Sequence, residues 1–445
     1  MTSLVDRRPE PGAPRPYSFP PVIRRDVAGG RVVAAHLPGP ALAVATLLLD
    51  AGAGREPAGR EGLAAVVASA LEEGTRLRDA TAYALALEGL GARLFTAVDW
   101  DAMRAGVEAP VDRLPAAVAL LAEAVRTPRL ADADVARVRD DEAAALRMDW
   151  ASPGPRADAA LRAALYPGRY ARPPHGDPES VAGLTVGDVT AFHAGWLTRP
   201  GVLLVAGDLD RLDLDALAEA AFAGAGEPVD REDGLVPVRP PAGRRIVLVD
   251  RPGSVQSTLR LGHAGPHRAH PDHVPLSLAG TVLGGAFTSR LNHLIREVRG
   301  YTYGIHAEFA AARRFGRFLV SSSVQTAVTA PALVDTVGEI TRTRDEGVTE
   351  AELSVARTWR AGQLSVELQS PRAIASALTT LVVHDLPDDY HATLRATLLA
   401  ASEADVSRAA STHLRPEDLV LVVEGDASII RTDLESTGLG PVVNS

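Results

Sequence analysis

Two stretches far apart in the chain carry the same succession of apolar and polar positions. Residues 190–210, "TAFHAGWLTRPGVLLVAGDLD", run from a helix end through Arg-Pro into a short apolar strand and stop at Gly-Asp. Residues 408–428, "RAASTHLRPEDLVLVVEGDAS", do the same, and the two Gly-Asp pairs, at 207–208 and 425–426, lie 218 residues apart. That offset is close to half the chain and predicts a duplicated unit. Upstream pieces fall into line. "LAVATLLLDAGAG" (42–54) and "VQSTLRLGHAG" (255–265) each read as a strand entering a glycine turn. Each leads to an apolar helix, "GLAAVVASALEEGT" (62–75) or "PLSLAGTVLGG" (275–285). A second helix and an alternating strand pair follow in both copies, then a long helical stretch over 112–150 or 330–369.

Between the copies, "GAGEPVDREDGLVPVRPPAGRR" (224–245) is rich in Pro, Gly and charge and reads as a linker. The expected organisation is an N-terminal arm (1–17), a first half (18–223), the linker, a second half (246–430) and a C-terminal tail (431–445). Strands arrive in hairpin-like runs and helices in blocks. That predicts an α+β fold in which each half is an antiparallel sheet with helices on one face.

Within the second half, residues 291–309 concentrate unusual chemistry. Leu291, Leu294, Ile295 and Val298 repeat at i, i+3, i+4 and i+7, predicting one buried helix face. Asn292, Arg296 and Arg299 lie on an adjacent stripe, and Gly300 stops the helix. Tyr303, Ile305, Ala307 and Phe309 then alternate with polar or small residues as in a strand, so Arg296 and Tyr303 are expected to point into one space. An arginine in a last turn complements the macrodipole, and a tyrosine at a strand start packs well half-buried. Residue types alone therefore leave a structural and a chemical role both open.

Composition narrows the choices. The chain has 445 residues, 46% hydrophobic and 23% charged, as in a globular protein of more than one domain. A net charge of -10 with no long basic run argues against nucleic acid. Absence of cysteine rules out disulfides, thiolate metal sites and a cysteine nucleophile. "MTSLVDRRPEPGAPRPYSFP" lacks the apolar core of a signal or anchor, and no stretch approaches ~18 apolar residues. A cytoplasmic location is expected. Neither a phosphate-binding loop nor a G-x-S-x-G elbow occurs.

The segment "LGGAFTSRLNHLIREVRGYTYG" resembles the second-half signature of the pitrilysin/insulinase family of zinc metallopeptidases, through Leu283, Gly284, Gly285, Ser289, Arg290, Leu291, Arg296, Gly300 and Tyr303. With the duplication, the resemblance spans about residues 20–430. It implies two homologous α/β-roll halves closing like a clam-shell. It also implies that Arg296 and Tyr303 donate hydrogen bonds to a peptide substrate near the scissile carbonyl, where a tetrahedral intermediate gathers negative charge. Gly284 and Gly285 belong to the same substrate-binding segment, and Arg299 and Tyr301 are weaker candidates.

The family's H-x-x-E-H zinc motif does not survive in the matching helix. Its positions fall on Ala65, Ala68 and Ser69, and the distal glutamate on Ala144 or Ala145. Glu142 stands nearby, but one carboxylate cannot hold a catalytic zinc. Glu72 and Glu73 are expected to face solvent. The loop "GHAGPHRAHPDH", with His263, His267, His270, Asp272 and His273, could bind a metal on count alone, but it aligns with a variable loop of the family and no metal is expected there. The resemblance thus implies a non-catalytic subunit of a bacterial heterodimeric zinc endopeptidase. A homologous H-x-x-E-H partner holds the zinc, and this chain helps bind an extended peptide. A silent scaffold or peptide-binding protein of the same fold is the alternative, and a peptidase with an unrecognised zinc site is a further one.

Overall fold

The repeated apolar runs become the central strands of two six-stranded sheets in the computed structural model, which describes residues 17–27, 29–227, 234–239 and 242–445. The first sheet is built from β1 (Val22–Val27), β2 (Gly30–His36), β3 (Leu42–Leu49), β4 (Arg93–Val98), β5 (Met103–Pro110) and β6 (Val202–Gly207). The second contains β7 (Arg245–Asp250), β8 (Gln256–Gly265), β9 (Ile305–Ala311), β10 (Gly316–Gln325), β11 (Val420–Gly425) and β12 (Val442–Asn444). Their orders are β1-β2-β6-β3-β5-β4 and β12-β7-β11-β8-β10-β9. Five strands of each sheet correspond, and β6 and β11 start at residues 202 and 420, the offset seen in the sequence.

Pairing is mixed rather than purely antiparallel. β2–β6, β7–β11 and β7–β12 run parallel and the other pairs antiparallel. The parallel pairs arise because β6 and β11 return only after the whole helical block of their half. The C-terminal tail is also part of the fold. Helix Ala427–Ser436 and β12 complete the second half, Val442 pairing with Ile246. Three residues give too little alternation to be read as a strand. The expected N-terminal arm falls, apart from Tyr17, outside the described residues. In the described part of the linker, Val236 is buried and its N–H donates to the Arg314 carbonyl at 3.1 Å.

The sheets are covered on both faces, where helices on one face were expected. In β3, Ala43, Ala45, Leu47 and Leu49 face the first half's own helices, while Val44 and Leu48 face the other way. In β11, Leu421 and Val423 face their own core, and Val420 and Val422 the opposite side. Such two-faced strands read as continuous apolar runs because neither side meets water. The second covers are exchanged. Helix Pro371–Val383, from the second half, lays Ile374, Leu378 and Leu381 on Val33, Val44 and Leu204 of the first sheet. Helix Pro155–Leu165, from the first half, lays Ala157, Leu161 and Leu165 on Val247, Val249 and Val422 of the second.

Polar groups fix this exchange. The Tyr166 hydroxyl donates to the Gly316 carbonyl at 2.7 Å. Glu424 of β11 is buried, accepts the Gly154 N–H at 3.1 Å and pairs with Arg251 at 3.3 Å. Opposite, Arg372 pairs with Glu108 at 2.7 Å and Arg24 with Asp388 at 2.6 Å. The described residues include no helix long and apolar enough to cross a membrane.

His263, expected in a loop, sits inside β8 and is buried against Phe318, ring centroids 5.2 Å apart. Its Nδ1–H donates to the Ala264 carbonyl at 2.9 Å and its Nε2 accepts the Arg415 N–H at 3.1 Å, so the neutral ring is fully satisfied. Burial lowers its pKa from 6.5 to about 4.

Two outcomes follow from the packing. Residues 18–223 expressed alone should be insoluble and become soluble when co-expressed with residues 224–445, as solubility and gel filtration will show. In the intact chain Leu161→Ala should cost about 2–5 kcal/mol in chemical unfolding, because it opens a cavity between the halves. For His263 the folded pKa lies below the unfolded one, so its contribution is complete above pH 6.5 and is lost as pH falls toward about 4. Urea unfolding across that window should show His263→Gln less pH-sensitive than wild type by up to about 1.4 kcal/mol per pH unit.

Candidate functional site

The helix that matches the zinc-motif position, Leu63–Ala70, starts at Gly62 and is held at that end by a carboxylate. Buried Glu56 accepts the N–H groups of Gly62 at 3.2 Å and Ala64 at 2.8 Å. These bonds and the helix N-terminus favour its charged form, but desolvation outweighs them and pushes its pKa up to about 8. Ala65 is half-buried, Ala68 is buried and Ser69 is half-buried.

The Ser69 hydroxyl donates to Glu142 Oε1 at 2.6 Å. Ala144 and Ala145, the expected positions of a distal ligand, are exposed on helix Asp132–Ala151, and Glu142 is the residue whose carboxylate reaches Ser69 of the Leu63–Ala70 helix. Helical spacing carried this signal: Val135, Val138 and Glu142 follow at intervals of three and four. Ala145 and Glu142 line one cavity of about 400 Å³ with Trp150, Arg162 and His175. Ser69 and Glu142 bring one hydroxyl and one carboxylate together, and among the described residues no group of three His, Asp or Glu ligand atoms gathers around them, so the site does not fit a zinc centre. Glu72 is exposed as expected, whereas Glu73 is half-buried and pairs with Arg137.

The second-half segment is reshaped by a wide turn. Asn292–Val298 forms a π-helix, which shifts the phase of the apolar stripe. Leu291 and Ile295 are buried, but Val298 is exposed and Asn292 takes an inner position. The Asn292 amide donates to the Ile305 carbonyl at 2.9 Å and so fixes the start of β9. Gly300, at φ +65°, ends the helix, and the Tyr301 N–H returns to the Ile295 carbonyl at 2.9 Å.

Arg296 is partly exposed, its guanidinium 4.4 Å from the centre of the Phe287 ring and 3.5 Å from Glu297. Tyr303 is 96% exposed. It lies in a bend before β9 and not in the strand, because the Thr302 hydroxyl accepts the Gly304 N–H at 3.1 Å and donates to the Ser323 carbonyl at 2.8 Å. Both side chains thus lie on the accessible surface, Tyr303 over a shallow depression lined by Arg260, His306 and Ser321. Their contacts do not run to each other.

Other residues of the motif are structural. Arg290 is held by Glu352 at 2.6 and 2.7 Å. Arg299 pairs with Asp335 at 2.8 Å, and Tyr301 packs against the second core. Gly284 is buried where a Cβ would stand 2.6 Å from the Ala307 nitrogen, so only glycine lets this turn approach β9. Gly285 is half-buried beside it.

Of the histidine loop, His267, His270 and Asp272 remain outside regular structure and His273 opens helix His273–Gly280. His413, which sequence reasoning missed because it lies 141 residues beyond Asp272, meets that aspartate at 2.9 Å.

Comparison with known proteins accords with this architecture. Family models for insulinase (peptidase family M16) and for the peptidase M16 inactive domain match residues 31–173 and 183–358, together most of the chain. An uncharacterized zinc protease of Mycobacterium tuberculosis is 29% identical over 404 residues, covering 88% of this chain and 90% of that protein. Cytochrome b-c1 complex subunit 1 of Bos taurus is 28% identical over 243 residues, 53% of this chain and 50% of that one. The crystal structure of a peptidase M16 inactive domain from Pseudomonas fluorescens superposes with a TM-score of 0.83 at 26% identity, covering 91% of this chain and 98% of that one. The two halves, their sheets and both family matches place the chain in the M16, pitrilysin/insulinase-like, peptidase family.

Proposed function

We propose that this protein is the non-catalytic subunit of a cytoplasmic heterodimeric zinc endopeptidase. A homologous partner bearing H-x-x-E-H supplies the metal centre, and this chain supplies Arg296 and Tyr303. One contrast carries the reading: the zinc-motif helix has no donor at Ala65 or Ala68, whereas Arg296 and Tyr303 are presented outward. A guanidinium and a phenol donate hydrogen bonds and suit a carbonyl oxygen that gains charge. The ring of Phe287 lies against the Arg296 guanidinium, a cation–π contact that favours this outward placement. Substrate is an extended peptide lying along a sheet edge by strand addition, with β9, which starts two residues after Tyr303, as the proposed edge. Gly284 and Gly285 shape the surface beside it.

A second reading, a silent scaffold of the same fold, draws on the likeness to the bovine b-c1 subunit. Cleavage assays separate the two. Peptide hydrolysis by this chain, by an H-x-x-E-H homologue from the same organism and by their mixture should show activity that depends on mixing. Arg296→Ala should lower kcat/KM of the mixture by about a hundredfold, in the range for loss of one oxyanion donor. Tyr303→Phe should reduce it too, and Phe287→Ala less than Arg296→Ala. A mixture no faster than the homologue alone, or one indifferent to Arg296→Ala, favours the scaffold.

A further inference from the structure

We propose that His270, Asp272 and His413 form a binding site for a divalent cation of the zinc or nickel class. One candidate ligand atom from each residue lies within 4.8 Å of the others. Two imidazoles and a carboxylate are a donor set that such borderline cations prefer, and three protein ligands leave a fourth position for water. His267, its ring centroid 6.3 Å from that of His270, stands beside the site as a further imidazole.

The local fold brings these groups together. A tight turn bonds the His270 N–H to the His267 carbonyl at 3.1 Å and the His273 N–H to the His270 carbonyl at 2.9 Å. His270 Nδ1 accepts the Asp272 N–H at 3.1 Å, so the free ring carries its proton on Nε2; to ligate through Nε2 the ring takes its other tautomer, the proton moving to Nδ1 and that hydrogen bond being given up. Asp272 precedes helix His273–Gly280 but makes no side-chain cap there. Its carboxylate instead reaches the C-terminal end of helix Glu403–His413. There Arg408 donates to both oxygens at 2.6 and 3.1 Å, and His413 Nε2 lies 2.9 Å from Oδ2. The rings of His270 and His413 stand edge to face, centroids 5.0 Å apart.

Arg408 holds the place a cation would take. Its side chain is 54% exposed, so its ion pair with Asp272 is screened and contributes little. On binding, the metal replaces the proton that His413 Nε2 shares with Asp272. The displaced proton passes to His413 Nδ1 or to solvent, and Arg408 turns outward. Such a clip fastens the loop to the Glu403–His413 helix, and with it the helix that runs on to Gly284 and Gly285. It is a structural site, distinct from the degenerate zinc-motif helix, and stands independently of the peptidase reading.

The test is equilibrium dialysis of the full-length, untagged, chelator-treated protein against zinc chloride, with metal analysis and thermal melting. Wild type should bind one equivalent and melt at higher temperature with zinc. His270→Ala and His413→Gln should each weaken binding by more than the roughly 10- to 100-fold typical of losing an outer-shell partner. Arg408→Gln should keep or tighten it. Circular dichroism checks folding, and the loop variant His270→Ala decides the matter if His413→Gln misfolds. No saturable zinc in wild type, unchanged binding in the histidine variants, or its loss in Arg408→Gln overturns the proposal. Unchanged binding in the histidine variants puts the metal elsewhere, with His36, Asp208 and Asp210 the next cluster to examine.

Discussion

The fold depends on covering sheets that are apolar on both faces. β3, β7 and β11 alternate between two cores, and each half supplies only one of the covers its own sheet requires. The missing layer comes from the other half, through helices Pro155–Leu165 and Pro371–Val383. Bare, either face would leave Val and Leu side chains in water at roughly 1.5–3 kcal/mol each. The exchange therefore makes two homologous halves one folding unit, with Glu424, Tyr166 and Arg372 holding the register at the contact.

The same framework fixes helix Leu63–Ala70, on which the resemblance sets the zinc-motif positions. Its N-terminal end is held by Glu56, and its outer face is tied to helix Asp132–Ala151 through Ser69 and Glu142. The second half keeps the opposite balance. Gly284 and Arg290 of its motif, with Asn292 and Arg299 beside it, are absorbed in packing, hydrogen bonds and ion pairs, while Arg296 and Tyr303 lie on the accessible surface.

Much of this was legible in the sequence. The 218-residue offset gave the duplication, and the apolar runs gave the central strands. Gly300 marked a helix end. Other features were hidden for physical reasons. A π turn breaks the 3.6-residue period, so the spacing puts Val298 on the buried face and Asn292 on the stripe beside it, whereas the structure exposes Val298 and buries Asn292. A side-chain bond from Thr302 turns Tyr303 out of phase with its strand. The exchanged helices look like any amphipathic helix, because periodicity shows that a face is buried but not against what. His413 joins Asp272 only through tertiary packing, and β12 is too short to show alternation.

The central claim, that this chain completes a homologous partner, is tested most directly by sedimentation velocity of the chain mixed with the H-x-x-E-H homologue from its own organism. The account predicts a one-to-one complex sedimenting faster than either chain alone. Two species that sediment in the mixture as they do separately, across the concentrations at which the chains occur in the cell, would contradict it.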